Sequence, residues 1–213
     1  ALLSPFDTVE TPRAAQNWPV PLRFRPLLIA PVAFLVGAVG ACGSNAPTRL
    51  IGVERTPTVQ VSAVTLPDVT TSDPGEPFAF LASPGTLLVV YFGFTNCPDL
   101  CPTTLADLRT ARKRIGSAAD AVDLALVTVD PERDTAAIMR SYAASFATRF
   151  HVLRTTDTSA LHAVEDVFLA SSSVTKLADG TVSVSHTAST YVVDSKGVVV
   201  VEWPFGIGAK GME

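Results

Sequence analysis

An apolar run, Leu87 to Phe92, breaks at Gly93 and leads into Phe94-Thr95-Asn96-Cys97-Pro98-Asp99-Leu100-Cys101-Pro102. The run is short and rich in valine and aromatic residues, so it predicts a fully buried strand. Pro102 suits the first turn of a helix, where a missing N–H costs nothing. Two thiols therefore stand where a buried strand hands over to a helix. A helix N-terminus favours the thiolate, which is both nucleophile and metal ligand. The cysteines are four residues apart, and two chemistries stay open. One helical turn allows a disulfide if the geometry permits. The same two sulfurs also suit a soft ion such as Cu(I) or Zn(II), with a third ligand deciding the geometry.

The rest of the chain fits around that stretch. With 213 residues there is enough length for one domain with a core and some extra segments. Net charge is -4 and the isoelectric point is near 5.4, so the basic footprint of nucleic-acid binding is missing and no nucleic-acid partner is expected. There are three cysteines, too few for a disulfide scaffold. The third, Cys42, ends an apolar stretch from Leu27 to Ala41 that follows Arg23 and Arg25. A positive flank, a short apolar core and small residues predict a secretory signal. Val39-Gly40-Ala41-Cys42 looks like a bacterial lipobox, which makes Cys42 a candidate lipidated N-terminus. The expected organisation is a leader and signal over 1–41, a tether over 42–57 and one domain over 58–213. That places the domain on the extracytoplasmic face of a bacterial membrane, in an oxidising or weakly buffered space.

Within the domain, Val59 to Leu66 predicts an edge strand and Glu76 to Leu81 a second, with Asp73-Pro74-Gly75 as turn. This reads as an N-terminal hairpin. A helix is expected from Thr103 to Ile115, with Arg109 to Arg114 as a solvated face. A buried strand follows over Leu124 to Val129. Asp134 or Thr135 should cap a helix with Ile138, Met139, Tyr142 and Phe146 on its apolar face. Phe150 to Leu153 predicts a strand, and Thr158 or Ser159 the cap of a further helix. A small hairpin is expected around Asp179-Gly180. Strands at Thr190 to Val193 and Val198 to Val201 are joined by the turn Asp194-Ser195-Lys196-Gly197. Trp203 and Phe205 are read as core, and a closing helix is expected to be cut short at Glu213. The order predicts an α/β, thioredoxin-like fold: a mixed sheet flanked by helices, with a thiol pair at the end of its first core strand.

Three blocks carry a family resemblance. Phe92 to Leu105, Val129-Asp130-Pro131-Glu132-Arg133-Asp134-Thr135, and Ser185-His186-Thr187-Ala188-Ser189-Thr190-Tyr191-Val192-Val193-Asp194 together resemble the Sco/SenC family, in the family's order. The likeness runs from about Val59 to Phe205. It implies a membrane-tethered copper protein that helps assemble the binuclear copper site of cytochrome c oxidase. It also implies Cys97, Cys101 and His186 as ligands of Cu(I) or Cu(II). The implied partners are the copper-site subunit of that oxidase and a thiol reductant. Three functions compete. One is a copper metallochaperone. Another is a thiol–disulfide oxidoreductase with Cys97 and Cys101 as redox pair. The last is a lipid-anchored copper store. His151 and His162 read as ordinary structural or surface residues. Asp130 and Asp134 read as turn and cap, with support of the thiol site as the alternative.

Overall fold

The structure is a computed structural model and describes residues 50–213. The leader, the signal and Cys42 lie outside the described residues. Within them the chain forms an eight-stranded mixed sheet with helices packed on it, and a second, two-stranded sheet. In order the elements are β1 (Val59–Gln60), β2 (Thr65–Asp68), β3 (Glu76–Ala79), β4 (Leu87–Gly93), α1 (Leu100–Arg114), β5 (Val122–Thr128), α2 (Ala136–Ala144), β6 (Phe150–Leu153), α3 (Thr158–Phe168), β7 (Ser172–Lys176), β8 (Val182–His186), β9 (Ser189–Val193), β10 (Val198–Pro204) and a single helical turn, α4 (Gly208–Gly211).

The sheet order is β1-β10-β9-β4-β5-β6-β2-β3. β4, β5 and β6 run parallel, and β9 lies antiparallel to β4 on its other side. The strand at the thiols is thus an interior strand. Its residues Leu88 to Phe92 are all buried, which is why it reads as an unbroken apolar run instead of an alternating one. Each such side chain contributes about 1.5–3 kcal/mol on burial. Alternation along β4 sends neighbouring side chains to opposite faces. Phe92 packs edge-on against Phe168 of α3 and Tyr191 of β9. Tyr91 goes to the other face, toward α1.

The expected N-terminal hairpin is only partly what forms. β2 and β3 do pair, and β2 extends the sheet beyond β6. The segment Val59 to Leu66 is not one strand, however. Val59–Gln60 pairs with β10 at one edge of the sheet, and Thr65–Asp68 lies near the other. The chain leaves the first edge at Val61, whose N–H bonds the Gly197 carbonyl at 2.8 Å. Gly197 has φ +73°, and a Cβ there would meet Ser62 at 2.6 Å. Only glycine admits both that conformation and that approach.

Other expectations change with burial. Asp157 caps α3 through Ser159 and Ala160, and Thr135 caps α2. Ile138 is exposed, because α2 turns Ala136, Met139 and Ala143 to the core instead, and Phe205, just past the end of β10, is exposed as well. Arg112 is buried and donates to the Val122 carbonyl, so the basic face of α1 is not wholly solvated. The hairpin expected around Asp179-Gly180 is present as β7 and β8, a separate two-stranded sheet.

Candidate metal centre

Gly93 is the last residue of β4, and nothing larger fits there. A Cβ there would lie 2.7 Å from the Tyr91 ring and 3.2 Å from the Cys101 sulfur. The loop then turns back, with the Cys97 N–H on the Phe94 carbonyl at 3.3 Å. α1 begins at Leu100, so Cys101 sits in its first turn, fully buried. Cys97 precedes the helix and is half-buried. The Cys101 N–H, one of the amides a helix leaves unpaired at its start, donates to the Cys97 sulfur at 3.3 Å.

The helix terminus therefore serves Cys97, and the expectation of a favoured thiolate fails at Cys101. Burial pushes the Cys101 thiol up to about 12. Desolvation outweighs the nearby N–H groups there. Both cysteines are free.

His186 arrives from the far end of the chain, as the last residue of β8. The hairpin base is pinned by the Thr187 N–H on the Ser171 carbonyl at 2.8 Å and by the Ser171 N–H on the Thr187 hydroxyl at 3.0 Å. The His186 Nδ1 lies 3.0 Å from the Thr187 carbonyl. A carbonyl only accepts, so Nδ1 carries the proton and Nε2 keeps its lone pair. Nε2 lies 3.6 Å from the Cys101 sulfur. Burial holds the imidazole below its usual range, so it is neutral at neutral pH, the form that binds metals. Tyr91 and Phe94 stand edge-on to the ring at 6.1 and 5.9 Å.

The sulfurs of Cys97 and Cys101 and a ring nitrogen of His186 all lie within 4.8 Å of one another. Donors bound to a zinc-sized ion at about 2.0–2.3 Å stand at most about 4.6 Å apart. The cluster is thus close to the span that one ion requires. Two sulfurs and one imidazole match a soft or borderline cation such as copper or zinc. Metal uptake by such a set displaces the Cys101 proton.

Asp130 and Asp134 lie in the segment that follows β5, and Asp134 bonds to the thiol loop. Val129 donates to the Gly93 carbonyl at 2.9 Å, which lays the strand's end beside the thiol loop. Asp134 is fully buried and is not the helix cap. Its carboxylate accepts from the Thr95 N–H at 3.0 Å, the Thr95 hydroxyl at 2.5 Å and the Thr128 hydroxyl at 2.7 Å. Arg154 donates to the Asp134 and Pro131 carbonyls. Asp130 pairs with Arg133, whose guanidinium lies 5.9 Å from the centre of the Phe94 ring. Thr95, Thr128 and Arg154 had no distinguishing signal in the sequence, since their role depends on two strands meeting. His151 binds Asp68 at 2.7 Å and His162 is exposed beside Glu165, both away from the cluster.

Comparison with known proteins agrees with this geometry. The family model described as SCO1/SenC matches residues 69–210. A SCO2-like protein of Rickettsia prowazekii (strain Madrid E) is 30% identical over 132 residues, 59% of this chain and 62% of the relative. The chain thus spans somewhat under two thirds of that relative's length. The solution structure of apo Sco1 from Thermus thermophilus is similar with a TM-score of 0.61 and 29% identity, over 75% of this chain and 89% of the other. ScoI of Bradyrhizobium japonicum, solved with copper bound, gives 0.56 and 26% over 76% and 95%.

Proposed function

Because the chain belongs to the SCO1/SenC family, we propose that it binds copper through Cys97, Cys101 and His186 and hands it on during assembly of the binuclear copper site of cytochrome c oxidase. The observation that carries this reading is the convergence of two thiols and an imidazole from separate parts of the chain. The copper-bound relative from Bradyrhizobium japonicum supports the choice of metal. Copper is cargo here. The chain's own part is to hold two sulfurs in reach of one nitrogen and to fix the imidazole tautomer. Cys97, half-buried at the rim, is the sulfur that a client's ligands reach first. Cys101 and His186 hold the ion from within. The thiols must be reduced for this, so a thiol reductant is part of the scheme.

The experiment is an anaerobic Cu(I) titration of the reduced protein against a competing chelator, with His186→Ala in parallel. One tight equivalent is expected in the wild type. The variant should bind at least about 10–100-fold more weakly, the loss seen when even a group behind a ligand is removed. Unchanged affinity in the variant would remove His186 from the ligand set.

A second reading is an extracytoplasmic thiol–disulfide oxidoreductase. The asymmetry of the pair favours it: an accessible Cys97 can attack a partner disulfide, and a sheltered Cys101 can resolve the mixed disulfide. That chemistry needs no imidazole ligand. Disulfide exchange that persists in His186→Ala while wild type takes up no copper would establish this reading over the first.

The protein is further proposed to be held at the outer face of the cell membrane by lipid on Cys42. In cells expressing the precursor, Cys42→Ser is expected to move the protein from the membrane to the soluble fraction. Retention in the membrane would remove the lipid anchor.

A further inference from the structure

The Tyr91 hydroxyl is fully buried and has no hydrogen-bond partner among the described residues. Such a group is destabilising where it stands, and a phenylalanine would fill the same space without that penalty. Buried polar atoms left in this state call for a functional reason.

The surroundings of the hydroxyl supply one. The Tyr91 ring and the Cys101 sulfur both crowd the space above Gly93, at 2.7 and 3.2 Å from the position a Cβ would take. The hydroxyl lies against the side chains of Cys101 and Thr104, within reach of both but in good hydrogen-bond geometry with neither. The Thr104 hydroxyl is buried and unpartnered as well. Thr104 can donate to the phenolic oxygen, which leaves the phenolic proton for sulfur. A protonated thiol is a weak acceptor. A sulfur that has exchanged its proton for a metal ion keeps its negative charge and accepts strongly.

We propose that Tyr91 is a positioning residue for the metal-bound form of Cys101, its hydroxyl donating to the Cys101 sulfur once a metal has replaced the thiol proton. The inference rests on the copper reading above. The exchange is balanced without redox chemistry: the S–H bond breaks, the proton leaves to solvent, the S–Cu bond forms and no electron moves. Hydrogen bonds to a copper-bound thiolate draw density from the sulfur and tune the site. In the metal-free protein the phenol lies beside the sulfur without a well-formed hydrogen bond to it.

The test is Tyr91→Phe in the full chain, read in three ways. Metal-free variant and wild type are compared by thermal melting. Cu(I) affinity is measured against a chelator. The sulfur-to-copper charge-transfer absorption of the Cu(II) form is recorded. The metal-free variant should melt at or above the wild-type temperature, since an unbonded hydroxyl is removed. Its Cu(I) affinity should fall about tenfold, and its charge-transfer band should move to lower energy. If the wild type takes up copper and the band is the same in both proteins, the inference is overturned, whatever the affinity does. A metal-free variant that melts several degrees lower also overturns it, because the hydroxyl is then already bonded in the metal-free fold. A wild type that takes up no copper overturns the copper reading itself, a result recognised by both proteins being blank.

Discussion

Protein carrying both Cys97→Ser and Cys101→Ser is expected to lose tight Cu(I) binding, with an affinity lower by far more than about 100-fold. Groups acting behind a ligand already cost about 10–100-fold when removed, and here two of three ligands go. A serine hydroxyl is hard and stays protonated, so it cannot stand in for a thiolate toward a soft ion. The two sites differ in what else they lose. Cys97 is half-buried, and its sulfur accepts the Cys101 N–H, a role that a serine oxygen can fill. Cys97→Ser should therefore melt close to the wild type, and its loss of copper is a clean report on the ligand. Cys101 is fully buried, so Cys101→Ser sets a hydroxyl there at a cost of roughly 1–3 kcal/mol if it finds no partner. A chelator titration and a melting curve on each single variant separate the two effects. Tight Cu(I) retained by the double variant would refute the assignment.

Asp134→Ala is expected to lower the stability of the domain substantially and to weaken copper binding without touching a ligand. The carboxylate is fully buried and holds the backbone and hydroxyl of Thr95 and the hydroxyl of Thr128. Hydrogen bonds to a charged group contribute about 1.5–3 kcal/mol each. They are not additive within one cluster, so a loss of about 3 kcal/mol is a sensible expectation. In a domain of this size that lowers the melting temperature by roughly 6–12 °C. Thr95 stands two residues before Cys97 in the loop that turns from β4 into α1, so releasing it frees the outer sulfur. Asp134→Asn keeps the shape and one accepting oxygen, and should fall between wild type and alanine. Calorimetry and the chelator titration check both readouts. An alanine variant that melts like wild type would show that Thr95 and Thr128 find other partners. Unchanged copper affinity would show that the loop holds its shape unaided.

Much of the fold was legible in the residues because the signals are local. The run Leu87 to Phe92 is apolar without alternation, as an interior strand must be, and it lies between β5 and β9. Asp194-Ser195-Lys196-Gly197 is turn chemistry, and the Asp194 carboxylate does accept from the N–H groups of Lys196 and Val198. Capping was less legible. Asp157, Thr158 and Ser159 are all good caps, and only the loop geometry selects Asp157. Val59 to Leu66 has the pattern of a single strand. Its division between opposite sides of the sheet depends on β10 and β6, more than 80 residues downstream.

For the metal centre, the chain alone placed two sulfurs four residues apart at the start of a helix, because backbone geometry over one turn is nearly invariant. Family likeness pointed to His186. What only the tertiary structure decided is everything that needs distant segments to meet. It sets the 3.6 Å approach of the imidazole to Cys101 and the tautomer imposed by the Thr187 carbonyl. It makes Asp134 a clamp where local chemistry suggested a cap. It also reverses the expected state of Cys101, since a helix N-terminus is a local feature while desolvation is the work of every element packed around the sulfur. Spacing along the chain determines which atoms can be neighbours within a turn; burial and partners across the sheet determine what charge those atoms carry and what they can bind.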